Sequence, residues 1–267
     1  MILAVALALA AAQPATEQPS GVSLTEAGRA IAAGRLDQAR SMLGSAVAAG
    51  ARGEPVDRLL ADLSYASGEY DRALGLYRAL LTSHPDEGLL LERAGIAALR
   101  LGRTAEATSL LDRATRTSNS WSAWNARGVA ADRNGRWEES EAAYARAAEL
   151  GASRAEVPNN LGWSMMLQGR WSDALSSFER AAAIDPKLPK LANNLELARA
   201  ALAAELPQRQ PGESDEGFAA RLNDAGVVAA AAGQPKRAEA AFAQAISLRS
   251  RWYARAADNL AALGTRP

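Results

Sequence analysis

Hydrophobic and polar positions along the chain fall into two regimes. Met1–Ala12 is an unbroken apolar run, followed by the polar, proline-bearing stretch Gln13–Pro19. Beyond about residue 20 the pattern becomes periodic. Gly34-Arg-Leu-Asp-Gln-Ala39 recurs as Gly68-Glu-Tyr-Asp-Arg-Ala73, Gly102-Arg-Thr-Ala-Glu-Ala107 and Gly135-Arg-Trp-Glu-Glu-Ser140, then as Gly169-Arg-Trp-Ser-Asp-Ala174 and Gly233-Gln-Pro-Lys-Arg-Ala238. The first five glycines are spaced 34, 34, 33 and 34 residues apart, and the last step is 64. A second glycine column stands seven residues upstream at Gly95, Gly128, Gly162 and Gly226. Four residues after the alanine column comes a large apolar residue: Leu43, Tyr77, Leu111, Tyr144, Phe178 and Phe242.

Each column has a mechanical reading in terms of paired helices. The upstream glycine lets two helices approach where a Cβ would hold them apart. The later glycine stands between two helical periods and supplies the positive φ that ends the first helix. The alanine is the small partner of the large residue one turn on, and Pro85 and Pro186 stop second helices. Composition agrees: 64 of 267 residues are Ala, and β-branched residues are scarce after the first thirty. The expectation is an all-α chain.

Leu161-Gly162-x-x-Met165, Ala174-x-x-x-Phe178 and Pro186, together with Trp124-x-x-x-Gly128, resemble the tetratricopeptide (TPR) signature. That resemblance covers residues 20–188 and 215–265. It implies a helix-turn-helix solenoid, a right-handed superhelix of about six repeats with closing helices. The repeats are expected at 20–53, 54–87, 88–120, 121–154 and 155–188, with a closing helix over 189–206, where Glu196 replaces the glycine. Residues 207–217 read as a linker, with Ser214 a helix N-cap. Residues 218–267 read as a final repeat with a C-terminal closing helix, stacked on the first array or hinged away from it.

The leader, residues 1–19, reads as a signal segment with a short tail. Twelve helical residues reach about 18 Å, short of a hydrocarbon core of about 30 Å. Ala10–Ala12 supply the small residues of a cleavage site, although no Lys or Arg precedes the run. Export, to a periplasm, is expected if the leader is cleaved, and a cytoplasmic location if it is not.

Chemistry is narrowed more by what is scarce. The chain has no Cys, one His (His84), and 30 Lys+Arg against 30 Asp+Glu. These counts leave no disulfide, thiolate site, cysteine nucleophile or His cluster. Balanced charge argues against non-specific nucleic-acid binding. His84 reads as a C-terminal helix feature. No cofactor, metal site or catalytic residue is expected, and no integral membrane span.

In the resembled family, ligand contacts come from the first helix of each pair. Three residues before the first glycine stand Asn125, Asn159, Asn193 (before Glu196) and Asn223; two before it stand Asn160 and Asn194, with Asn259 an apparent echo in the closing helix. Asn is a poor residue inside helices, so these columns ask for a reason. One reading is a ladder of amides for a partner's peptide backbone. The other is local bonding, or contact with the next repeat. Trp163 and Met166 read either as the apolar anchor of this groove or as ordinary packing. Asp132 interrupts an otherwise apolar column. The reading is a non-catalytic scaffold for a protein or peptide partner, with Asn125, Asn159, Asn160, Trp163, Met166, Asn193, Asn194 and Asn223 lining the groove. The alternative is a structural protein that self-associates through its Ala-rich end. Residues 121–200 with the short leader also resemble the TPR component of tight-adherence (Flp) pilus assembly.

Overall fold

The computed structural model describes residues 21–202, 205–248 and 253–264, so the expected signal segment at 1–19 lies outside the described residues. Among the described residues the chain is wholly helical. It forms α1 (Gly21–Ala32), α2 (Leu36–Ala48), α3 (Glu54–Ala66), α4 (Tyr70–Ser83), α5 (Gly88–Arg100), α6 (Thr104–Thr117) and α7 (Trp121–Arg133). There follow α8 (Trp137–Leu150), α9 (Glu156–Leu167), α10 (Trp171–Ile184), α11 (Leu191–Leu202), α12 (Asp215–Ala231), α13 (Pro235–Ser247) and α14 (Tyr253–Leu263). Two compact units divide the chain at Ser83 and His84.

In the first unit α1 pairs with α2 and α3 with α4, and α1 also touches α3. In the second, α5–α6, α7–α8, α9–α10 and α12–α13 are the pairs, and α7 touches α5 and α9. The repeating solenoid follows from two glycine roles. Gly34, Gly68, Gly102, Gly135, Gly169 and Gly233 all have φ between 67° and 77°, a left-handed turn that L side chains resist. The upstream glycines serve contact. A Cβ on Gly128, Gly162 or Gly226 would lie 2.7, 2.6 or 2.4 Å from the ring of Tyr144, Phe178 or Phe242, and those three rings are buried. The alanines at 39, 73, 107, 174 and 238 are fully buried, as is Ser140 in their column.

One pair is incomplete. After α11 there is no second helix among the described residues, and residues 205–214 run without helix until Ser214 caps α12 by accepting a hydrogen bond from the Gly217 N–H at 3.1 Å. The helix thus begins at Asp215, inside the stretch whose composition suggests a linker to 217. The final repeat does not hinge away. α12 packs on α9 and α11, and one core joins Met166, Phe178, Leu197, Val228 and Ala241. Leu206 packs against this core and Pro207 is buried, so the extended segment contributes to the packing where a second helix would have.

Two arginines secure the irregular segment. Arg221 of α12, only 5% exposed, forms a bidentate pair with Glu213 (2.8 and 2.9 Å), an ion pair with Glu196, and a hydrogen bond to the Gln208 carbonyl at 2.6 Å. Glu196, standing where α5, α7, α9 and α12 carry glycine, therefore answers an arginine instead of a large apolar side chain. Burial pushes the Glu213 carboxyl up, but the Arg221 hydrogen bonds and charge outweigh it and hold the group below its ordinary value. Arg237 of α13 donates to the Ala200 carbonyl at 2.9 Å and to the Glu205 carbonyl, closing the C-terminal end of α11.

Two outcomes are expected in chemical denaturation. Gly162→Ala costs about 2 kcal/mol through overpacking on Phe178, whereas Gly44→Ala, whose Cβ meets nothing within 4 Å, is neutral or gains about 0.5–1 kcal/mol of helix propensity. Arg221→Ala costs about 3 kcal/mol by stranding its two carboxylates. Because the Glu213 value is depressed, its contribution is present above the ordinary carboxylate range and lost as pH falls through the folded value, so the Arg221→Ala deficit narrows in acid.

Candidate functional site

The asparagine columns lie on the first helices α7, α9, α11 and α12, and they bond to one another across repeats. Asn160 Nδ2 donates to Asn125 Oδ1 at 3.1 Å, joining α9 to α7. Asn194 Nδ2 donates to Asn159 Oδ1 at 2.8 Å, joining α11 to α9. Asn259 Nδ2 donates to Asn223 Oδ1 at 2.8 Å, joining α14 to α12. Asn159 and Asn160 are themselves 3.5 Å apart, Nδ2 to Oδ1. An amide side chain has two N–H donors and two acceptor lone pairs, so each rung consumes a minority of its capacity. Asn125, Asn159, Asn160, Asn193 and Asn194 are half-buried, which leaves the remaining capacity open to solvent.

The other expected groove residues are placed differently. Trp163 is half-buried, with one side against the core of α9–α13. Met166 is fully buried in that core and Asn223 is 2% exposed. These two are corrected: Met166 faces Phe178's neighbourhood rather than a partner, and Asn223 is enclosed between Asn259 and Asp224. The physical reason is that four residues past the glycine a first helix points into the next repeat, so a Met there is packed whatever its adaptability.

Asp132 occupies the same position one repeat earlier and has no hydrophobic role. Its carboxylate accepts hydrogen bonds from Ser164 Oγ at 2.7 Å, Tyr144 OH at 2.7 Å and Ser140 Oγ, so α7, α8 and α9 meet on one acceptor. Burial pushes the Asp132 carboxyl above its ordinary value, the three hydroxyl donors opposing. Ser140 and Ser164 are fully buried and Tyr144 nearly so. Tyr77 finds a similar partner in Asp62 at 2.9 Å, while Phe178 shares an apolar core with Met166 and Phe242 one with Ala230. A buried tyrosine hydroxyl requires an acceptor and a phenylalanine does not.

Among the described residues no group of His, Asp and Glu could hold a metal ion, and no helix is long and apolar enough to cross a membrane.

A family model described as tetratricopeptide repeat matches residues 24–87, 58–120, 92–155 and 125–189. No curated protein sequence matches the chain. Solved structures similar to it include a TPR protein of Parabacteroides merdae (17% identity, 92% of this chain and 100% of that one, TM-score 0.57). A thermophilic TPR protein of Thermus thermophilus aligns over 68% of this chain and 98% of its own at 21% identity and TM-score 0.56. PilW, a type IV pilus biogenesis factor, aligns over 84% and 90% at 18% identity and TM-score 0.55. At these identities the likeness is one of fold.

Removing the shared acceptor isolates the α7–α9 node. Asp132→Ala is expected to cost about 3 kcal/mol by orphaning buried hydroxyls, and Asp132→Asn about 1 kcal/mol. Because the folded value is raised above the ordinary 3.8, this carboxyl favours the fold most below that value and progressively less as pH rises through the folded one. The Asn variant's deficit is therefore largest in acid and shrinks toward neutrality, measured by urea titrations of both chains across that range.

Proposed function

The chain belongs to the tetratricopeptide repeat family, and from that premise we propose that it captures a partner protein by laying an extended segment of it along the amide rungs of α7, α9 and α11. Members of this family are protein-interaction scaffolds and generally non-catalytic. The observation that supports the groove is the rung geometry. Asn125, Asn159, Asn160 and Asn194 hold one another in fixed orientations while keeping donors and acceptors in hand. A peptide main chain offers alternating N–H and C=O groups, which such amides match without reading side chains. Trp163, half-buried beside the rungs, supplies the large apolar contact that dominates small interfaces. Prior bonding between the amides lowers the ordering cost on binding.

In this reading the scaffold serves assembly of a cell-envelope machine of the pilus type. Support comes from the apolar leader pattern and from the resemblance of residues 121–200 to the Flp pilus component. The scaffold is exported, and the repeats of its second unit are the platform for the partner.

A double variant, Asn160→Ala with Trp163→Ala, is expected to lose capture of the partner from envelope extracts while keeping wild-type far-UV helicity. Undiminished capture of the same protein, identified by mass spectrometry, would count against the groove. A stable dimer lost on truncation at residue 207 would favour self-association instead.

A further inference from the structure

In the rungs from α7 to α11, the residue two before the glycine position donates to the residue three before it on the preceding first helix: Asn160 to Asn125, Asn194 to Asn159. On α5 the acceptor place, three before Gly95, is held by Glu92. On α7 the donor place, two before Gly128, is held by Ala126, which has no side-chain N–H to give. The ladder therefore stops one repeat short of a carboxylate in its own column. Among the described residues, Glu92 enters no hydrogen bond and no ion pair. Asn125, its counterpart on α7, has N–H groups, but none of them bonds to it.

Glu92 is only 9% exposed, so packing holds its stem, yet its oxygens are not sealed from solvent. A carboxylate enclosed without a donor is costly, and the cost is recovered when a donor arrives. The arginines of α5 and α7 do not supply one. Arg93, beside it, is engaged elsewhere, and Arg127 is paired with Asp112 at 2.7 Å. Arg100 and Arg133 stand eight residues beyond the level of Glu92 on their helices, about 12 Å of rise. Their charge is screened over about 8 Å at physiological salt. One turn before Glu92, on the same face of α5, Leu89 is 50% exposed, a large apolar side chain left open to solvent.

We propose that Leu89 and Glu92 receive a basic side chain of the partner, lysine or arginine, at the α5 end of the asparagine ladder. The proposal rests on the groove reading, since that side chain projects from the segment lying on the neighbouring rungs. A basic side chain is an apolar stem that ends in charged donors, and Leu89 beside Glu92 offers a surface for each part. A charge-assisted hydrogen bond is about twice as strong as a neutral one, which favours a cation over a main-chain N–H at this place. The enclosed stem already fixes the carboxylate, so little ordering remains to oppose binding. Spacing follows as well. First helices α5, α7 and α9 touch in succession, at axial separations of about 8–10 Å. An extended segment gains about 3.3 Å per residue and so spends about three residues on each repeat. The basic residue therefore lies about six positions from the one that meets Trp163 on α9.

The test uses a phage-displayed random dodecapeptide library selected on the full chain and on Glu92→Gln. That variant is isosteric and removes a charge that nothing in the fold pairs, so it should melt no lower than wild type. A lower melting temperature means the carboxylate already has a partner in the fold, and overturns the proposal. Peptides selected on wild type should be enriched in lysine or arginine at one position, and those selected on Glu92→Gln should not. Replacing the enriched residue by norleucine should weaken a synthetic peptide about tenfold on wild type, as loss of a charge-assisted hydrogen bond does, and leave its binding to Glu92→Gln unchanged. Wild-type peptides without basic enrichment, or enrichment that survives in Glu92→Gln, overturn the proposal. If such peptides still lose binding to the Asn160→Ala, Trp163→Ala variant, the groove stands and only the Glu92 site fails. Peptides that bind the double variant as well as wild type refute the groove, and a library that yields no peptide refutes both.

Discussion

The close approach of a first helix to the aromatic of its second helix is the constraint on which the array depends. At Gly128, Gly162 and Gly226 the backbone lies so near a ring that a single methyl group would overlap it. Dense packing leaves no slack to absorb the clash. The buried alanines and the left-handed turn glycines serve the same end, setting the height and angle at which the second helix returns. This accounts for a quarter of the chain being alanine. Small residues stand where paired helices cross, with one large buried residue (Leu, Tyr or Phe) at the centre of each crossing.

Where the constraint is relaxed, polar chemistry takes over. Among the described residues α11 is followed by no second helix, and so by no ring for a glycine to face. Glu196 stands there, and Arg221 reaches it from α12 while gripping Glu213 and the Gln208 carbonyl. Asp132 and Tyr144 show the same exchange on a smaller scale, a hydroxyl on the ring being answered by an acceptor on the first helix. In both places an apolar column is broken by two departures at once, each the partner of the other.

That pairing explains what could be read from the sequence. The fold was legible because its columns are set by backbone sterics, which tolerate few residue types and so leave a strict period. The turn glycines and the starts of α8 and α10 just after Gly135 and Gly169 follow from it, while the Ser214 cap was legible from its local residue type. The polar node was half visible: Ser140 stands out in the alanine column and Asp132 in the apolar one, but spacing alone does not join them to Ser164 on another helix. Met166 misled because position on a helix face, rather than side-chain character, decides burial. The direct bonding of one asparagine column to the other needed coordinates, since a shift of one residue between columns a full repeat apart has no local signature. Arg221 gave no signal at all, because its partners Gln208 and Glu213 lie in the segment where the period lapses.

The asparagine pairs have a consequence for the spacing of the first helices. A hydrogen bond between side chains a repeat apart tolerates little change in the gap between their helices, so α7, α9 and α11 are pinned edge to edge at two points. At the α11–α12 seam the tie is ionic instead, Arg221 to Glu196. The seam where the period lapses is thus the one whose fastening depends on charge.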